Sequence, residues 1–382
     1  MASESTSMKD GILREISPGR KEAFIPCSAP QSHAANLHVL PDGRLTCVWF
    51  AGTMEGMPDI SIHQAIFDET SSSWVDSKQL YDNPGRSEQN PLLFNAPDGN
   101  VWLLYTSQDY GNQDTSVVRR RISTDGGISF GDPHTLIDKP GTFIRQAIVT
   151  LSSGELLLPV FNCHINPGER WTGSRDTSAV YRSADGGESW SMVEIPDSLG
   201  CVHMNIIELD NSLVALFRSR WADAIYLSRS YDDGKTWQGP KATSLPNNNS
   251  SIQAIKLNDG RLAMVYNHSN FKDASSRRES LYDDLDNGSP AKTVSNLERQ
   301  AFWGTPRAPL SLIFSKDGGE TWVDRKDLEL GDGYCLTNNS VEGLNRELSY
   351  PSIFETRTGT LDIAFTYHRQ MIKHLRLSQQ LE

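Results

Sequence analysis

Cysteine is scarce in this chain. Five occur in 382 residues, at positions 27, 47, 163, 201 and 335, with no CxxC pair and no Cys/His spacing of a zinc site. An odd, widely spaced set reads as free thiols rather than a disulfide framework. Long apolar runs are missing too: no stretch approaches 18 apolar residues, which excludes a membrane-spanning helix. The opening MASESTSMKDGILREISPGRKEAF has no apolar core of a signal peptide. A cytoplasmic location is therefore expected, or a secreted one if a leader preceded this chain. Positive charge is in deficit, with 36 Lys and Arg against 48 Asp and Glu, a net charge of −12 and no basic run. Nucleic acid is thereby argued against as a partner. GxGxxG, GK[ST], HExxH and GxSxG are all absent, which removes support for nucleotide, zinc-protease and α/β-hydrolase chemistry.

What the chain does have is glycine, tryptophan and repetition. Its 29 Gly and nine Trp suit a folded, turn-rich protein. SADGGESW (183–190) has near-copies in STDGGISF (123–130), SYDDGKTW (230–237) and SKDGGETW (315–322), and a degenerate one in FDETSSSW (67–74). In such a turn the Asp side chain accepts backbone N–H groups, glycine supplies positive φ, and the terminal aromatic packs back on a sheet.

A second repeat interleaves with the first: LPDGRLTCVW (40–49), APDGNVWLLY (96–105), LSSGELLLPV (151–160), LDNSLVALF (209–217), LNDGRLAMVY (257–266) and TRTGTLDIAF (356–365). Each is a tight turn between apolar, β-rich runs, the signature of a hairpin. Gly43, Gly99 and Gly154 recur at the spacing of a four-stranded propeller blade. The expected fold is all-β: a single β-propeller domain over 1–382, with six blades of four antiparallel strands. The polar stretch 268–308 lacks alternation and is expected to be an insertion loop, a seventh blade within it being the alternative.

The first strand of each hairpin should be the innermost of its blade. Aligned on Leu40, Phe94, Leu151, Leu209, Leu257 and Phe354, these strands place polar residues in rings around the axis. Asn36, Asn90, Asn205 and Gln253 fall deeper. Arg86, Glu88, Arg145, His203, Arg346 and Tyr350 fall toward the mouth. Buried polar groups are costly unless paired or used. The rings therefore either hydrogen-bond one another to plug the channel or line a ligand site at the mouth. Three arginines around one funnel suit a bound carboxylate. His33 stands one residue off the ring parity, where a structural role is the alternative. His164 ends FNCH, and Arg218 with Arg220 in FRSRW share a face by alternation, a solvated charged pair being the alternative. Tyr367, His368 and Arg369 in TYHR and His268 in NHSN are weaker candidates.

The Ser-x-Asp-x-Gly-x-Thr-Trp turns resemble the Asp-boxes of the sialidase-like (BNR-repeat) β-propeller superfamily over about residues 25–378. That resemblance implies the propeller fold and makes the Asp-box a structural turn away from chemistry. Arg346 and Tyr350 in NRELSYP resemble the last arginine and the nucleophilic tyrosine of sialidases, and Glu55 or Asp59 the acid/base carboxylate. The pattern departs where AFIP has Phe24 in place of the first arginine of the carboxylate-binding triad, and where Gly52 stands near the second.

Among propellers of this type the chain resembles most the fungal L-rhamnose-α-1,4-D-glucuronate lyases, which act on gum arabic side chains. The resemblance implies a polysaccharide lyase that cleaves at a uronic acid by β-elimination and releases L-rhamnose. His33, His203 and Tyr350 would be the acid/base groups. Arg86, Glu88, Asn90, Arg145, His164, Arg218, Arg220, Gln253 and Arg346 would bind substrate. An exo-acting glycoside hydrolase, sialidase-like or a rhamnosidase, is the first alternative, and a non-catalytic glycan-binding propeller the second. No cofactor is required by this chemistry. Ca²⁺ has no recognisable loop spacing to hold it. The expected partner is an acidic oligosaccharide or polysaccharide, with no membrane and no nucleic acid, and the chain is expected to be a monomer.

Overall fold

The computed structural model describes residues 9–81, 83–278, 281, 298–331 and 346–378. Its strands form six antiparallel sheets arranged as the blades of a propeller. The innermost strands are Gln31–Val39 (blade I), Ser87–Asn95 (II), Thr142–Ile144 with Val149–Thr150 (III), Cys201–Leu209 (IV), Gln253–Lys256 (V) and Leu348–Glu355 (VI). Each pairs with the strand across its hairpin and then with the next outward.

The ring is closed by the two ends of the chain. Arg20–Ile25 pairs along its whole length with Met371–Leu377, so an N-terminal strand becomes the fourth of blade VI, and Arg14–Ser17 adds a fifth. Strand Leu262–Asn267 pairs directly with Leu310–Ser315, Asn267 opposite Leu310. Among the described residues between these two strands no further sheet is formed. Its described residues hold a 3-10 turn, Phe271–Asp273, and an isolated bridge between Arg278 and Trp303. Residues 279–280 and 282–297 of the expected insertion lie outside the described residues, as does Cys335. Among the described residues the sheets number six rather than seven.

The core lies between blades rather than within one. Val48, Phe50 and Ile62 of blade I interlock with Leu93, Leu103 and Tyr105 of blade II. Trp102 and Leu104 of II meet Leu156 and Leu158 of III, and equivalent clusters fill the other four joints. Sheets buried on both faces explain why their second strands read as continuous apolar runs instead of alternating.

The repeated turns serve these joints. Ser189 N–H donates to Asp185 Oδ1 at 3.0 Å and Gly187 N–H to Ser183 Oγ at 2.8 Å. The same pair of bonds recurs around Asp125, Asp232 and Asp317. Each of Trp190, Trp237 and Trp322 donates its indole N–H to the glycine carbonyl of its own turn. The turns abut the preceding blade: an added Cβ on Gly127 would lie 2.6 Å from Leu40, and one on Gly187 2.2 Å from the Trp102 ring. The degenerate turn at 67–74 in blade I likewise faces the blade before it in the closed ring, blade VI, where Trp74 Nε1 donates to His374 Nδ1 at 3.2 Å and Arg376 pairs with Glu69.

This contact predicts a contrast between neighbouring glycines. Gly187→Ala meets both a φ of +93° and the Trp102 ring, while Gly186→Ala meets a φ of +74° and open space. Gly186→Ala should cost roughly 1–2 kcal/mol of backbone strain, and Gly187→Ala about 1–3 kcal/mol more from overpacking. Denaturant unfolding of both variants checks this, and equal losses would refute the joint as the source.

Candidate active site

Corresponding heights in the blades are fixed by the bond that closes each hairpin. The N–H groups of Leu40, Ala96, Leu151, Leu257 and Thr356 donate to the carbonyls of Arg44, Asn100, Glu155, Arg261 and Thr360. Ala96 and Thr356, not Phe94 and Phe354, are therefore the equivalents of Leu40. An error of two residues preserves the face, because the strand period is two, but misplaces the height. In the corrected frame Ala34, Asn90, Arg145, Ser251 and Tyr350 share one level. His203 occupies the matching place in blade IV, whose shorter turn closes between Leu209 and Ser212.

At that level the inner strands bulge. Between His33 and Asn36, Gln89 and Leu92, Val202 and Asn205, and Ser349 and Ser352, each carries one residue more than its partner strand. The first extra residue is left-handed in every case: Ala34 at φ 61°, Asn90 at 50°, His203 at 54° and Tyr350 at 52°. For a tyrosine or histidine this conformation is uncommon and stores on the order of 1 kcal/mol or more. Bulges of this kind re-aim side chains.

The re-aimed groups meet on the axis. Arg218 Nη1 donates to the Tyr350 hydroxyl at 2.6 Å and lies 3.3 Å from His203 Nε2, while its Nε donates to Asn249 Oδ1 at 2.8 Å. The His33 ring packs on the Tyr350 ring at 4.2 Å and that of His203 at 5.5 Å. The guanidinium groups of Arg145, Arg307 and Arg218 stand 5.4, 5.6 and 5.7 Å from the same ring. Beside it Glu347 Oε1 accepts from Arg307 Nη1 at 2.6 Å and Arg369 Nε at 2.9 Å, with His33 Nδ1 at 3.7 Å. Arg369 in turn reaches Glu55 Oε2 at 2.6 Å. Tyr350 is 6% exposed and the other members are buried as deeply or more.

Burial sets the protonation states. Loss of hydration, then the charge of Arg369, pushes His33 well below the usual histidine range. Loss of hydration, then Arg218, does the same to His203. Both rings are neutral at pH 7. Burial opposes the charge on Glu347, but Arg307 and Arg369 outweigh it and hold that carboxyl well below its usual range. Burial brings Arg218 down to about 9 and Arg145 to about 10, so both remain charged. His33 Nε2, His203 Nδ1 and Arg145 Nε have no hydrogen-bond partner among the described residues.

Of the residues singled out from sequence, His33, His203, Tyr350, Arg145 and Arg218 converge here. His33, off parity in a straight strand, is brought in by the bulge beside it. Arg220 lies next door, paired with Asp176 at 2.7 Å and packed among Phe161, Trp171 and Trp303. Neither Arg218 nor Arg220 is solvated, because Trp303 packs within 5.7 Å of one and 5.2 Å of the other.

The rest stand elsewhere. Arg86 is half-buried on Asp109 and Ser107, and Arg346 is exposed, two residues too high in the corrected frame. Glu88, buried on Ser107 Oγ at 2.9 Å, is pushed up by burial to about 7. Asn90 sits at the bulge of blade II, its Oδ1 unpaired among the described residues. Gln253 bridges Gln146 and the Ile353 N–H, as a channel plug would. His164 is exposed on Thr177. Asp59 is bound up in a turn with Thr53.

Sequence reasoning missed Arg307, Glu347, Trp303 and Asn249 and undervalued Arg369 and Glu55. Arg307 and Trp303 fall in the stretch read as an insertion. Among the described residues no group of three or more His, Cys, Asp or Glu is placed to hold a metal ion, and no helix is long and apolar enough to cross a membrane.

A family model described as a BNR repeat-like domain matches residues 43–363. No curated protein matches the sequence. The fold is similar to that of a Hadza microbial sialidase, Hz136, at 14% identity and a TM-score of 0.68, covering 92% of this chain and 66% of that one. It is also similar to the NanB sialidase of Streptococcus pneumoniae at 12% identity and a TM-score of 0.66, covering 99% of this chain and 72% of that one. A protein of unknown function from Dyadobacter fermentans gives 15% identity and a TM-score of 0.65, covering 95% of this chain and all of that one. This chain thus spans about two thirds of the sialidases it matches.

The ion pairs and neutral histidines make stability depend on pH. A histidine depressed in the folded state binds its proton more readily unfolded, so stability falls as pH drops below about 6.5, by about 1.4 kcal/mol per pH unit for each ring. His203→Gln should flatten that slope between pH 6.5 and 5 in denaturant titrations. Glu347→Gln leaves Arg307 and Arg369 buried without their shared counter-charge and should cost about 3–5 kcal/mol at pH 7. A loss below 1 kcal/mol would show that the network is not coupled as described.

Proposed function

The chain belongs to the BNR repeat-like family, and on that premise we propose a carbohydrate-active enzyme that cleaves an acidic glycan at a uronic acid by β-elimination. One observation carries the proposal. Arg145 and Arg218 face Tyr350 with no carboxylate partner among the described residues, while the adjacent acid/base groups are two neutral histidines and a phenol. Buried cations without counter-ions call for an anionic ligand. The two carboxylates beside Tyr350 do not form the pair that most glycosidases use, a point that does not bear on hydrolases with a tyrosine nucleophile. Glu347 is held ionised by two arginines and Glu55 is engaged by Arg369.

In this scheme Arg218 and Arg145 take the uronate carboxylate and stabilise the negative charge that spreads onto it. A neutral histidine, His203 or His33, removes the C5 proton. The electron pair left on C5 forms the C4–C5 double bond as the C4–O bond breaks. Tyr350 supplies a proton to the departing oxygen, and where that oxygen carries rhamnose, L-rhamnose leaves as the free sugar. Arg145, whose Nη2 donates to the carbonyls of Ala35, Tyr350 and Pro351, braces the strand that holds the tyrosine.

A second reading is supported by the same 2.6 Å contact: a tyrosine oxygen facing a guanidinium is placed to attack an anomeric carbon, which would make the enzyme a hydrolase. The two differ in product. Incubation with gum arabic side-chain oligosaccharides, other uronic-acid glycans and a sialoside, following ultraviolet absorbance and released sugar together, separates them. New absorbance from a C4–C5 double bond with a neutral sugar released is the expected result. Release without absorbance gives the hydrolase, and binding without release a glycan-binding propeller. Tyr350→Phe and His203→Ala should each lower kcat by about 10²–10⁴, and full turnover in either removes that residue from the mechanism.

A further inference from the structure

The groups that meet on the axis are covered: Tyr350 is 6% exposed, His203 4%, and His33, Arg145 and Arg218 1% each. A sugar ring cannot reach them unless part of the mouth moves. The described residues identify a cover. Between strands Leu45–Gly52 and Ser61–Asp68 of blade I the chain makes a short loop. Its stem is cinched where Asp59 accepts from the Thr53 N–H and the Thr53 hydroxyl, both at 2.8 Å. Beyond that stem Met54 and Met57 pack against a cluster that holds Phe143 and Phe161 of blade III, Val202 of blade IV and Trp303. Blade IV stands opposite blade I in a ring of six, so the loop crosses the mouth. Trp303 is also the ring that walls Arg218 and Arg220.

We propose that residues 54–58 are a lid over the glycan site, latched by Glu55 on Arg369, which lifts before a substrate enters. The proposal rests on the hub being a glycan-cleaving site, although the latch itself can be tested without a glycan.

Three observations fit a part that opens rather than a fixed plug. Glu55 is buried and reaches Arg369 Nη1 at 2.6 Å, while Arg369 Nε holds Glu347 at 2.9 Å. Lifting the lid therefore returns Glu55 to water and leaves Arg369 with a counter-charge, so no buried cation is stranded. The apolar half of the closure is made by methionines, whose flexible side chains re-pack readily. The tip backbone is held from outside the loop by the Gly111 N–H, which donates to the Gly56 carbonyl at 3.0 Å, and Gly56 itself stands at a φ of +92°. A tight stem with a lightly tied tip is the construction of a gating loop.

The test uses the full chain, with amide hydrogen exchange read by mass spectrometry and D-glucuronate as the probe ligand. The Met57 N–H donates to Met54 O within the tip and the Gly111 N–H donates to it from blade II, so both amides report on the lid. Glu55→Ala should speed their exchange at least tenfold and leave the inner-strand amides of Ile206 and Ile207 unchanged. In the wild type the rate of glucuronate binding, followed by tryptophan fluorescence, should level off as its concentration rises, because opening precedes entry. Glu55→Ala should raise that plateau at least tenfold. Faster exchange with no response to glucuronate upholds the lid and tells against the uronate reading instead. Unchanged exchange in folded Glu55→Ala overturns the lid, as does a binding rate that rises linearly and equally in both proteins. Should Glu55→Ala not fold, Met54→Ala, which loosens the tip without removing the ion pair, must speed the same two amides, and an unchanged rate there refutes the lid.

Discussion

The site depends on a backbone device, the single extra residue that four inner strands insert at one height. A straight strand would send alternate side chains to its two faces, each facing a neighbouring blade, and none would lie across the axis. The left-handed residue at Ala34, Asn90, His203 and Tyr350 breaks that alternation and turns the upper half of each strand inward. It is an expensive device, since two of the four residues are large aromatic rings held at positive φ. Such strain persists only where the surroundings over-determine it.

The surroundings do so through the joints between blades. Each inner strand is wedged between two interblade clusters, and the Asp-box turns key the blades to one another at their edges. Closure by Arg20–Ile25 against Met371–Leu377 then removes any freedom to open the ring. A closed circle of six wedges leaves no edge for an inner strand to relax toward. The rigid periphery and the strained centre are thus parts of one arrangement, with the core energy of the rim maintaining unusual backbone at the hub.

Much of this was legible in the sequence because it is periodic. Blade number, hairpin turns, Asp-box geometry and the identity of the inner strands follow from repeats whose chemistry is local. Tyr350, His203, His33, Arg145 and Arg218 were also visible as polar residues in otherwise apolar strands. What failed was height and parity. Phe94 and Phe354 are convincing anchors by hydrophobicity, yet the turn hydrogen bonds show Ala96 and Thr356 to be the equivalents, and Arg86 and Arg346 were drawn into the ring as a result. A bulge leaves no signature in a hydrophobic pattern when the extra residue is itself Tyr, His or Ala. Arg307 and Trp303 were hidden differently, in an aperiodic stretch where neither strand nor turn statistics apply.

The charge distribution at the hub gives the strained arrangement its consequence. Around Tyr350 four guanidinium groups, Arg145, Arg218, Arg307 and Arg369, meet two carboxylates, Glu347 and Glu55, among the described residues. Both carboxylates stand on the side of blades VI and I, where they satisfy Arg307 and Arg369. Arg145 and Arg218 come from blades III and IV and, among the described residues, meet carbonyls, an amide, the tyrosine hydroxyl and the neutral His203 ring but no carboxylate. Desolvated cations in that position are costly, and the cost falls when an anion enters beside them. A chain of net charge −12 that concentrates uncompensated positive charge at one buried point opposes its own overall field there. On the proposed function that asymmetry orients the substrate, its carboxylate drawn toward the arginine-rich side of Tyr350 and the bond to be broken left beside the neutral histidines.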